Sequence, residues 1–374
     1  MQTGAPQRDG AIDVWRGVAL VTIFVNHVPG NPLEHWTSRN FGLSDAAEAF
    51  VLIAGYSAAV AYLPRFADGR ALAGLVAVLR RVVGLYSAHL ATLVAGVAVF
   101  AEAVLRTGDG RLLELISLTA LVEDPLGAVL GAALLGWQPG YLNILPLYVV
   151  LMASLPLWLA LAARSIPAAL GLSGAIYVAA NLTGFNLPSH TDDGGWFFNP
   201  LAWQFLFVIG VCLGAARVKG VVPRIPGWFV WTAGGYLLAS LVVVRGGIWP
   251  EPDLLPLPSF LWEPEKTFQT LPRLLHVLAL ALVVVRSPLH AMAGSLPPSN
   301  PLALLGRHAL PVFCLGSVLS LALYARIVTD GTPPAEAAAL VVLGIIVQVG
   351  LAWLLSFRGP SPRGDRARAA EAAG

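Results

Sequence analysis

The chain has 374 residues, of which 57% are hydrophobic and only 12% charged, and its mean hydropathy is +0.73. Soluble domains carry about 25% charged residues, so the composition excludes an ordinary soluble protein and indicates one built for a bilayer. A net charge of +2 is too small to suggest a nucleic-acid partner, and the two cysteines, Cys212 and Cys314, lie in apolar segments with no histidine or cysteine at metal-ligand spacing.

A bilayer-crossing helix needs about 20 apolar residues. Ten such segments are predicted, at 14–30, 44–63, 82–105, 142–162, 166–183, 200–216, 227–245, 270–286, 304–326 and 335–357. The expected fold is therefore an all-α integral membrane protein, a polytopic bundle of about ten transmembrane helices over residues 1–357. A disordered basic tail is expected over 358–374. Residues 112–136 are apolar too, but Glu123, Asp124 and Pro125 interrupt them, which suits a re-entrant or interfacial hairpin. No small-residue cleavage site follows the first apolar run, so the first helix is expected to be retained. With ten crossings, 16 of the 23 basic residues fall on the side of the termini and 7 on the other. The positive-inside rule then puts both termini in the cytoplasm.

The first segment carries Asp13, Arg16, Asn26 and His27. Arg16 and His27 are three helical turns apart, nearly on one face and about 16 Å apart along the axis. Charged residues in membrane helices are costly and usually line a path or a reaction site. Asp13 can pair with Arg16 one turn away, and a histidine near its usual pKa suits general-base chemistry. In the second segment Ser44 is the expected cap, with Asp45 in the first turn and Glu48 deeper in an apolar run; either carboxylate can orient His27. Gly55 and Ser57 permit close helix packing. Arg80 and Arg81 are expected to open the third segment on the inner side, where guanidiniums can hold phosphates. His89, His276 and His308 each sit alone on an apolar helix, a pattern that favours packing over ligation. No metalloprotease, phosphate-loop or nucleophile-elbow motif occurs, so no metal is expected. Two long outer loops, 184–199 and 246–270, combine acids with aromatic rings, as a carbohydrate-binding surface does.

Arg16 and His27, with ten residues between them, match the Arg-x(10)-His signature of the membrane acyltransferases of acyltransferase family 3. The wider stretches RDGAIDVWRGVALVTIFVNHVPGN and LEHWTSRNFGLSDAAEAFVLIAGYS resemble the OpgC family, which succinylates osmoregulated periplasmic glucans. The first 90 residues, including Arg80, Arg81, Tyr86 and His89, carry this likeness. The resemblance implies an acyltransferase of the bacterial inner membrane. It would use a cytoplasmic acyl-CoA, succinyl-CoA, as co-substrate and a periplasmic glucan as acceptor, with no permanently bound cofactor.

The expected catalytic residues are then His27, Arg16, Glu48 and Asp45. The expected donor contacts are Arg16, Arg80, Arg81 and His89, and the expected substrate contacts are Asp13, Asn31, Glu34, Arg39 and Asn40. The rival expectation is a transporter or flippase for a glucan or lipid-linked sugar, which would use the same polar path without chemistry. The lack of an internal repeat speaks against it.

Overall fold

The computed structural model describes residues 9–66, 70–190, 194–221, 224–249 and 256–357, and these contain helices and no strand. The expected tail, the adjacent Asp192 and Asp193, and the acids Glu251 and Asp253 lie outside the described residues.

Helix α1 (Gly10–Asn26) starts where the Asp9 side chain accepts a hydrogen bond from the Ala11 N–H at 3.1 Å. It ends at His27, whose own N–H still bonds back to Ile23 at 3.0 Å. Two short 3-10 turns, Pro32–Trp36 and Ser38–Asn40, lead to α2 (Ala46–Tyr62). Helix α3 (Ala71–Thr107) has 37 residues, about 55 Å of helix. It begins 11 residues before the predicted segment, so Arg80 and Arg81 lie well inside it rather than at its start. The reason is composition: six of residues 71–79 are Ala or Leu, strong helix formers, and no proline stops the helix.

Residues 111–133 break into α4 (Arg111–Leu115), α5 (Thr119–Glu123) and α6 (Pro125–Ala133), none long enough to cross. Four long helices follow: α7 (Ile144–Arg164), α8 (Ile166–Thr183), α9 (Pro200–Val218) and α10 (Gly227–Gly246). Then come α11 (Leu271–Arg286) and α12 (Pro288–Ser295), bent by 68° at Ser287–Pro288. The predicted segment 304–326 is divided at His308 into α13 (Pro301–Arg307) and α14 (Ala309–Asp330), and α15 (Pro334–Ser356) closes the order.

Among the described residues, eight helices are long and apolar enough to cross a membrane, or nine if the bent α11–α12 pair counts as one. The protein is an all-α polytopic membrane protein. The remaining predicted segment is α1, which at 17 residues is short for a crossing and is interrupted at its end by Asn26 and His27.

Two close helix crossings set the geometry of the interior. α2 and α9 approach until a Cβ on Gly55 would collide with the Phe207 carbonyl, as small residues allow in bilayers. α1 crosses α13 the same way, where a Cβ on Gly306 would strike the Asp13 carbonyl. That second crossing carries the residues after Gly306 against the Arg16 face of α1.

Candidate active site

Arg16 is fixed by the α1–α13 crossing. Its guanidinium donates to Asp13 Oδ1 at 3.2 Å, to the Gly306 carbonyl at 3.0 Å and to Ser57 Oγ on α2. Ser57 therefore holds Arg16, a more specific role than close packing. Arg307, next in sequence to Gly306, lies with Nε 3.9 Å from the other Asp13 oxygen.

These groups border a cavity of about 300 Å³ between α1, α2, α7 and α14. Its wall includes the guanidinium-bearing residues Arg16, Arg81 and Arg307, the His308 at the α13–α14 break, and the phenols Tyr62 and Tyr148. No Asp or Glu borders it among the described residues. Such a cavity suits a polyanionic ligand, since guanidiniums bind phosphates through charge-assisted hydrogen bonds. Of the expected donor contacts, Arg16 and Arg81 meet here. Arg80 is exposed on the outer face of α3, and His89 lies elsewhere in the bundle, 1% exposed with neither ring nitrogen partnered among the described residues.

The opposite end of α1 is built differently. The His27 ring stacks on Tyr141, with centroids 4.5 Å apart and planes within 13°. Lys266, Asp45 and Arg39 are the charged side chains near enough to act on it. Neither Asp45 nor Glu48 hydrogen-bonds to the ring, so Asp45 acts on it through its charge alone. Asp45, not Ser44, is the N-cap of α2: it accepts from the Ala47 N–H at 2.8 Å, while Glu48 reaches back to the Asp45 N–H at 3.0 Å. The remaining carboxylate oxygens go to basic partners, Lys266 with Asp45 and Arg273 with Glu48. Glu48 is fully buried, and a buried carboxylate takes the cation that can reach it. Ser44 instead pairs with His276 Nδ1 at 2.7 Å, so His276 is not isolated.

The segment between α1 and α2 is held by its own polar residues. Asn31, 1% exposed, donates to the Val25 carbonyl at 3.0 Å, and Thr37 donates to Asn26 at 2.7 Å. Asn40 donates to the Glu34 carbonyl at 2.6 Å, and Arg39 pairs with Glu34. The proposed substrate contacts on this segment thus fix its shape, and Asp13 lies with Arg16 at the other end.

Sequence reasoning missed Tyr141, Lys266, Arg273, Arg307 and His308. The available signal was a basic residue, or an Arg-His pair, next to an apolar helix start. What it lacked was the partner 200 or more positions away.

Residues 8–358, nearly the whole chain, match the family described as OpgC protein. The chain belongs to the OpgC family. The match extends well past the first 90 residues that carry the motif resemblance. No curated protein and no solved structure matches the chain. Membership in the OpgC family implies an acyltransferase-like enzyme with a role in glucan modification, and the two-ended arrangement along α1 is the site in which to look for it.

Proposed function

We propose that this OpgC-family protein is a membrane-bound O-acyltransferase that moves a succinyl group from cytoplasmic acyl-CoA to hydroxyls of a periplasmic glucan. The observation that carries the reading is the division of α1: at one end a cavity bordered by guanidiniums and, among the described residues, by no carboxylate, and His27 at the other. The charge asymmetry supports a cytoplasmic Arg16 end with both termini on the same side, and the resemblance to the OpgC family implies a bacterial inner membrane.

Acyl-CoA enters at the Arg16 end, with its phosphates against Arg16, Arg81 and Arg307 and the pantetheine arm directed along the cavity toward His27. Arg16 and His27 lie about 16 Å apart along the axis, a length suited to an extended arm. At the other end His27 takes the proton of a sugar hydroxyl as its oxygen attacks the thioester carbonyl. The carbon–sulfur bond then breaks, and the proton returns from His27 to the departing CoA thiolate. Asp45 and Glu48 act through the wall of the site, holding Lys266 and Arg273 in place. Arg39, beside His27, is the candidate for the distal carboxylate of a succinyl group.

The test is incubation of the purified protein with acyl-labelled CoA thioester and isolated glucan. Label is expected in the glucan, and mass spectrometry of the product names the acyl group. Glucan movement across proteoliposomes without label transfer would overturn the reading in favour of a transporter.

A further inference from the structure

The cavity stops short of His27, and one side chain at the end of its border nearest His27 is placed to move. α2 borders the cavity through Phe50, Ala54, Ser57 and Ala58, one face of the helix. Phe50 is the position on that face closest to His27's end, about 7.5 Å along α2 from Asp45. On α7 the border begins at Ile144 and Leu145, only three and four residues after Tyr141, the ring stacked on His27. Neither His27 nor Tyr141 borders the cavity.

Phe50 packs in one layer with two further rings that border the cavity. Phe50 meets Tyr148 edge-on at 6.3 Å and 75°, and lies over Phe313 at 6.4 Å and 29°. Phe313 is 5% exposed and wedged among core residues. Phe50 is half-buried and faces the empty volume, so its ring has somewhere to rotate. Rotamer exchange of a side chain with free space beside it is fast compared with enzymatic turnover.

We propose that Phe50 is the door between the cavity and His27. Its ring leaves the layer with Tyr148 and Phe313 for an acyl group to reach the histidine, and the bulk of the side chain at position 50 sets which acyl groups pass. The size selection rests on the acyl-transfer reading above; the barrier itself does not.

The two parts are tested separately. For the barrier, Tyr141→Cys is introduced with Cys212 and Cys314 replaced by alanine, in sealed membrane vesicles. A small charged thiol reagent is applied from the side that modifies an Ala58→Cys reporter. Tyr141→Cys is expected to be protected when residue 50 is Phe, to react faster with Phe50→Ala, and to be intermediate with Phe50→Leu. Equal rates in all three backgrounds would overturn the door.

For selection, the ratio of kcat/KM for an eight-carbon over a four-carbon acyl-CoA is expected to rise about tenfold in Phe50→Ala. An unchanged ratio would overturn the selective role. Should the unsubstituted protein transfer no acyl group, the functional reading fails, and the labelling result still decides the barrier.

Discussion

The two ends of α1 handle charge in opposite ways. Around His27 the acids and bases are matched: Glu34 with Arg39, Asp45 with Lys266, Glu48 with Arg273. Around Arg16 three guanidinium-bearing residues border a cavity, and Asp13 is the carboxylate that approaches two of them from behind. Matched charge builds a wall, because each group's field is answered within the protein. Guanidiniums that border a cavity can meet an anionic ligand there. On the proposed reading the Asp45–Lys266 and Glu48–Arg273 pairs at one end are structural, and the guanidiniums at the other are placed to bind the donor.

The largest expected effect falls on the matched end. Removing one partner of the buried Glu48–Arg273 pair leaves a charge without an answer, so Arg273→Ala is expected to cost about 3–5 kcal/mol. Thermal unfolding in detergent should show it, and the double variant with Glu48→Ala should cost less than the sum of the singles. A cost below about 1 kcal/mol, the range of exposed pairs, would mean that the pair is not structural. Next is Gly306→Ala, which forces α13 away from α1 at the cost of about 1–3 kcal/mol of overpacking. It should also raise the donor KM, because Arg307 and His308 move with the helix.

Smaller in free energy, but aimed at the other end, are Arg81→Ala and Arg307→Ala. Each removes a charge-assisted contact and is expected to raise the donor KM about tenfold with little change in melting temperature. Arg80→Ala is the internal control: its side chain points away from the cavity and its donor KM should stay unchanged. Equal effects at 80 and 81 would break the assignment of the cavity. The smallest effect on stability is expected for Arg39→Ala, whose side chain is 41% exposed, so that its pair with Glu34 is worth under about 1 kcal/mol.

Most of the helices are legible in the sequence because burial in lipid demands long apolar runs, and those runs are written locally. The exceptions have local causes that hydropathy averages away. The division at His308 falls between Gly306 and Pro311, inside a run apolar enough to read as one helix. The early start of α3 is hidden because Arg80 and Arg81 interrupt the apolar run, so residues 71–79 do not join the stretch that follows when read by hydropathy.

The site is legible only in part. Arg16, His27, Asp45 and Glu48 stand out as polar residues in apolar surroundings. Their partners do not, because Lys266 is 221 positions from Asp45, Arg273 is 225 from Glu48, and the Gly306 carbonyl is 290 from Arg16. A single sequence carries no mark of which distant cation a buried acid will meet. Asp45 was legible as a helix-start acid, and its role as cap rather than first-turn residue turned on one position of register.

The most direct test of the account is the transfer rate of His27→Ala at saturating acyl donor, measured beside Arg16→Ala in the same proteoliposomes. Losing a general base costs about 10²–10⁴ in rate. His27→Ala is therefore expected to fall below about one-hundredth of the unsubstituted rate with unchanged thermal unfolding, while Arg16→Ala recovers rate as the donor is raised. Near-normal transfer by His27→Ala would contradict the account.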